Sequence, residues 1–332
     1  MDGTTTMPAS GGHGSDRAIG TADGTQGAGG FDEPLFVSVA IATGMGAGLL
    51  VPGLANLLAP LLLPSLFMIV LGSLFPFRAV LARSLLGFDR QALVVVAWLQ
   101  CALPMLVLAG GRVLDVPPHL MPFVLLSACS GAVFATPTLA GLFALDRAQA
   151  ARIMVLSTVL MPISICVFVG PLVGLDNAEA FRVFGMRVLV FLVVPAVLIL
   201  AYRFFEVRGL QSLSATVDRQ APRVGMLALT VFAIAIMAGV AQSFASDPGT
   251  MVSLFLGALC VNLGMLIITR FALGSLGSGT AHTASIVAMT RNVGLAYAMV
   301  GSFFGPWLTT YVALCQVPLL VGPLIVRLRI NS

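Results

Sequence analysis

Charged side chains are scarce in this 332-residue chain: they make up 9% of it, lysine is absent, and all seventeen basic residues are arginine. A water-soluble domain carries about 25% charged residues, so the shortage excludes a surface built for water. The net charge of +4 does not make the chain a nucleic-acid binder, because no arginines are clustered into a basic run. Histidine occurs only at His13, His119 and His282, in the tail or near the ends of apolar segments. Catalysis would need His, Asp, Cys or Ser clustered with a base, and histidines in the tail or near span ends do not supply that, so an enzyme is not expected. The five cysteines, Cys101, Cys129, Cys166, Cys260 and Cys315, are odd in number and fall inside apolar segments. They read as reduced packing residues rather than a disulfide framework.

What the chain has in abundance is apolar length. Hydrophobic residues make up 58% of it, with a mean hydropathy of +1.04. A hydrocarbon core of about 30 Å takes about 20 apolar residues per helical span. Such stretches run almost end to end, at roughly 34–52, 57–75, 91–110, 119–145, 149–174, 184–205, 224–244, 249–271, 281–304 and 306–328. The segment 1–33 is rich in Gly, Ser and Thr, carries five acids against one arginine, and reads as a disordered tail. It lacks the basic start and short apolar core of a secretion signal, so the first span is expected to be retained.

Arginine placement gives the orientation. With the amino terminus in the cytoplasm, thirteen arginines fall on that face and three, Arg112, Arg182 and Arg187, on the other. Arginine-rich loops stay cytoplasmic, so both termini are expected inside a bacterial-type inner (plasma) membrane and the number of spans is even. The expected fold is therefore all-α with ten transmembrane helices, divided into two five-helix halves, 34–174 and 184–328. An odd number of spans per half inverts the second half relative to the first.

The fourth spans of the two halves are interrupted in matching ways. Span 4 holds Ala135-Thr136-Pro137-Thr138 at membrane depth, and span 9 holds Thr290-Arg291-Asn292-Val293-Gly294 about 155 residues later. Paired interruptions point to broken helices that meet near the midplane, where secondary transporters place substrate. Pro104, Pro162, Pro195 and Pro318 read as simple kinks. None of the thirteen acids lies in a membrane core, and Arg291 is the one charge that does. An unpaired guanidinium there costs from about 2.5 to more than 10 kcal/mol, so it needs partners. Two sources of negative potential remain: carbonyls at the end of a broken helix, or an anionic substrate matched to the planar fork. The candidate binding set is Thr136, Pro137, Thr138, Thr290, Arg291 and Asn292, with Gln100 and Asn262 as further polar residues at depth. His282, near the start of span 9, reads as a surface residue.

At these residues the sequence resembles the bile acid:sodium symporter family. The stretch from Ala135 through Ser157, Thr158 and Pro162 is similar to that family's broken fourth helix and its fifth helix. Arg291-Asn292 and Gly294-Leu295-Ala296 are similar to its ninth. The resemblance implies a panel of spans 1, 2, 6 and 7 beside a core of spans 3–5 and 8–10, and small organic anions as substrates, either bile-acid-like compounds or carboxylates. It also implies sodium ligands at Thr136 and Asn292, but the other ligand positions hold Val287, Arg291, Ala150 and Met154. A fixed positive charge repels sodium, so the expectation is that the guanidinium stands in the ion's place and that no cofactor is needed. An auxin-efflux-type carrier, an arsenite-type carrier and a non-transporting membrane sensor are the alternatives.

Overall fold

The computed structural model describes residues 33–75, 89–207, 211–305 and 307–330. The expected tail, Arg78 and Arg83 lie outside the described residues. Among those described there is no strand, and the one β-type pairing is an isolated antiparallel bridge between Ala132 and Arg291.

Helix α1 runs over Glu33–Leu50. The next rod is α2, Pro52–Leu58, and α3, Leu62–Leu74, joined by a 3-10 turn. A third rod consists of α4, Arg90–Ala97, a π-helical turn at Trp98–Ala102, and α5, Leu103–Val113. The chain then forms two short helices, α6, Met121–Cys129, and α7, Thr136–Leu142. Helix α8, Arg147–Ser164, continues through a π turn into α9, Gly170–Val173. Helix α10, Ala178–Val188, passes through another π turn into α11, Val194–Val207. After α12, Gln211–Ala235, come α13, Val240–Ser246, and the long α14, Pro248–Ala272. Two short helices follow, α15, Ser278–Met289, and α16, Val293–Val300, and then α17, Trp307–Ile330.

Three of the acids are placed where a helix needs them. Asp89 accepts from the amides of Gln91 and Ala92, Asp146 from those of Ala148 and Gln149, and Asp247 from that of Thr250. Each satisfies donors at a helix start that have no partner within the helix, and each puts negative charge at the positive end of the dipole. Among the described residues, six helical rods, Pro52–Gly72, Arg90–Val113, Arg147–Val173, Ala178–Phe205, Arg223–Ser246 and Pro248–Ala272, are long and apolar enough to cross a membrane. Large apolar side chains such as Leu57, Ile163, Phe181 and Leu227 face outward. In water that surface would aggregate, and lipid satisfies it. The chain is a multi-pass helical membrane protein.

Helix α12 packs on α1, α2 and α3, and α11 lies on α3. In a second set of contacts α8 packs on α4, α7 and α15, while α14 packs on α6, α15 and α17. The short helix α16 touches α17, α10 and α3, and so lies against both sets. Cysteines are free, as expected, but Cys101 and Cys260 are exposed rather than packed in the interior.

Candidate functional site

The two pairs of short helices owe their shortness to breaks that bind each other. Nine residues of α6 and twelve of α15 rise about 13 and 18 Å at 1.5 Å per residue, roughly half of a bilayer core. At the first break the chain turns extended at Ser130, with φ −62° and ψ 150°. The Val133 amide donates to the Thr290 carbonyl at 2.9 Å, and the Asn292 amide donates to the Gly131 carbonyl at 2.8 Å. Two short non-helical segments thus pair antiparallel through a single bridge inside the protein and satisfy backbone groups that would otherwise be stranded away from water.

The first break lies earlier than the polar tetrapeptide suggested. Residues 130–135 are non-helical, and Thr136 and Pro137 open α7. A proline in the first turn of a helix loses nothing by lacking an N–H, so Pro137 starts the second half-helix rather than ending the first. The second break falls at 290–292, within the expected stretch 290–294, of which Val293 and Gly294 already belong to α16.

Arg291 is 4% exposed, and its partners among the described residues are all backbone oxygens. Its Nη1 donates to the Ser130 carbonyl at 2.8 Å, Nη2 to the Leu99 carbonyl at 3.2 Å and Nε to the Ala288 carbonyl at 3.2 Å. Local structure frees each acceptor. Ser130 lies just past the end of α6. Ala288 would receive the Asn292 amide in an unbroken helix, but that amide crosses to Gly131. Leu99 lies in the π turn, where the Leu103 amide bonds Trp98 instead, and the next residue along is Pro104, which has no N–H. Pro104 is therefore more than a kink: it also keeps the Gln100 carbonyl out of the helix ladder, and Ser164 Oγ donates to that oxygen at 2.9 Å. Bonds from a charged donor contribute about 1.5–3 kcal/mol each, so three of them offset most of the cost of burying the guanidinium.

Gln100, 2% exposed, donates its amide nitrogen to the Ser157 carbonyl at 2.9 Å and the Ser130 carbonyl at 3.4 Å, while its Oε1 has no partner. Ser157 Oγ accepts from the Ala132 amide at 3.2 Å. Thr136 Oγ1 donates to the Val133 carbonyl at 2.6 Å and lies 3.3 Å from Thr290 Oγ1. Asn292 caps α16 through the Leu295 amide at 3.0 Å. The structure thus gathers Gln100, Thr136, Pro137, Thr290, Arg291 and Asn292 at the crossing. It leaves Asn262 outside this network, since its side chain bonds Ala258 in its own helix at 2.7 Å. Thr138 lies in α7, and its side chain is outside the described residues. His282 is exposed on α15.

Sequence reasoning missed Gly131 and Ser130. A methyl group on Gly131 would lie 3.0 Å from both Cα and Oγ1 of Thr158, so glycine lets the break lie directly on α8. The signal was the Ser130-Gly131 pair, ahead of the proline that drew attention instead.

Chemically the crossing is a ring of carbonyls around a fixed cation. Val287, Ala150 and Met154 are fully buried and offer no side-chain oxygen. Among the described residues no three of His, Cys, Asp and Glu come together as a metal site. No protein-family profile matches the chain, and no curated protein matches it at significant similarity.

Proposed function

We propose that this protein is a secondary transporter of a small organic anion, of bile-acid-like or carboxylate type, working by alternating access. It crosses the membrane ten times as two inverted halves, with both termini in the cytoplasm, and α6/α7 and α15/α16 are its broken, crossing spans. Arg291 stands where a coupling cation would otherwise bind, so transport runs without sodium, and the protein is a carrier rather than an enzyme. One observation carries this reading: a buried guanidinium joins carbonyl oxygens from three separate rods at the point where two broken helices meet. Carbonyls at helix ends carry partial negative charge, and a metal cation would use the same oxygens. With the guanidinium bonded to them and no carboxylate beside it among the described residues, the crossing is electropositive and favours an anion over a cation.

The resemblance to bile acid:sodium symporters supports the substrate class through the paired breaks and through Asn292, Gly294, Leu295 and Ala296. The test is uptake of labelled small carboxylates into proteoliposomes with an inward sodium gradient, and with choline replacing sodium. Equal initial rates are expected, and a steep dependence on sodium would overturn the proposal.

A further inference from the structure

Away from the crossing, α1 and α12 are joined by glycine and then part. A methyl group on Gly44 would lie 2.8 Å from Ala233 Cβ, and one on Gly48 would lie 2.6 Å from the Ile234 carbonyl oxygen. The two backbones therefore touch along a Gly-x-x-x-Gly edge, as small residues permit within a membrane. One turn toward the start of α1 the contact opens into a cleft of about 470 Å³, lined by Val39, Ala40, Thr43, Arg223, Met226 and Thr230. That volume lies within the range of small-molecule sites.

The lining has a specific chemistry. Both hydroxyls are turned back on their own helices: Thr43 donates to the Val39 carbonyl at 2.6 Å, and Thr230 to the Met226 carbonyl at 3.1 Å. Val39, Ala40 and Met226 make an apolar wall. Arg223 is exposed and has no hydrogen-bond or ion-pair partner among the described residues. It begins the apolar stretch Arg223–Ser246, and in the proposed topology that start lies at the cytoplasmic boundary of the hydrocarbon, on the arginine-rich side.

We infer that this cleft binds an anionic phospholipid, with the phosphate on the Arg223 guanidinium and an acyl chain against Val39, Ala40 and Met226. A planar guanidinium fork suits phosphate oxygens, and an apolar wedge beside it suits a chain rather than a free ion. The site does not depend on what the protein transports.

The test is lipid retained by the purified full-length protein after reconstitution in phosphatidylglycerol and phosphatidylcholine at equal amounts, read by native mass spectrometry. Wild type is expected to keep phosphatidylglycerol over phosphatidylcholine by about fivefold, the scale of one interfacial arginine. Arg223→Gln is expected to bring the two lipids to parity. Val39→Trp, at a half-exposed position that tolerates bulk, is expected to do the same by filling the cleft while leaving the charge. Arg270→Gln, which removes an arginine outside the cleft, is expected to leave the preference intact. An unchanged preference in Arg223→Gln or in Val39→Trp would overturn the inference. Complete displacement of the lipid by millimolar inorganic phosphate would also overturn it, by showing that the cleft binds a free anion.

Discussion

The crossing of α6/α7 with α15/α16 and the seam between α1 and α12 both bring backbones into close approach through glycine, but different forces hold them. At the seam the contact is apolar, and its hydroxyls serve only their own helices. At the crossing the contact is polar: two backbone bonds link the breaks, three bonds leave Arg291, and Ser157 takes the Ala132 amide. A seam held by van der Waals packing can slip or spread at modest cost, because lipid replaces the lost contacts. A network of buried polar groups cannot, because each broken bond strands a group in low dielectric. The crossing is thus built as a rigid centre and the α1/α12 seam as an adjustable edge.

The largest effect expected from breaking this contrast comes from Arg291. Arg291→Met leaves the carbonyls of Leu99, Ser130 and Ala288 without their donor, and is expected to cost about 3–5 kcal/mol. Arg291→Lys restores the charge but not the fork, and is expected to recover only part of that loss. Thermal unfolding in detergent reads both variants. A methionine variant as stable as wild type would mean that the guanidinium does not hold the crossing.

Much of this arrangement could be read from residue types. Apolar length outlined the helices, and the solitary charge at 291 together with the polar interruption at 290–292 marked the second break. Other features were out of reach because every residue carries a carbonyl, and a sequence does not reveal which ones a helix leaves free. Leu99 became an acceptor only through the π turn and Pro104, two features that act together on the same oxygen. Asn262 was singled out for its polarity at membrane depth, and a bond within its own helix satisfies that polarity. Pro137 marked the right neighbourhood and the wrong edge of the break, since proline suits a helix start as well as it disrupts a helix interior.

Glycine-to-alanine changes put the two close approaches on one scale. Gly131→Ala would set a methyl group 3.0 Å from the backbone of α8, while the same chain segment donates to Ser157 and accepts from Asn292. A loss of about 2–3 kcal/mol is expected there, at the upper end for overpacking because hydrogen bonds are displaced as well. Gly48→Ala meets the Ile234 carbonyl at 2.6 Å, yet α1 can shift outward into lipid, so about 1 kcal/mol is expected. Gly46→Ala has nothing within 4 Å and is expected to be neutral or slightly stabilising, as alanine is the better helix former. If Gly48→Ala proves as costly as Gly131→Ala in the same unfolding assay, the seam is as rigid as the crossing and the contrast fails.

The smallest expected effect lies at the start of α4, where Arg152 of α8 donates to Asp89 at 2.8 Å. Partial burial pushes the Asp89 carboxyl up, but the Arg152 hydrogen bond, the amides of Ala92 and Gln91 and the Arg152 charge together hold it below its ordinary 3.8. A carboxyl that is more acidic folded than unfolded binds fewer protons in the native state. Its contribution is therefore complete above the unfolded value of 3.8 and disappears as the pH falls through the lower folded value. Because Arg152 is half exposed, solvent screens the pair, and less than about 1 kcal/mol is at stake. Asp89→Asn keeps an oxygen for the Gln91 and Ala92 amides while removing the charge, so it isolates the ion pair from the helix cap. The variant is expected to melt within a few degrees of wild type at neutral pH and to lose less stability than wild type between neutral pH and pH 3. A larger loss at neutral pH would move this surface pair into the rigid part of the molecule, alongside the buried crossing.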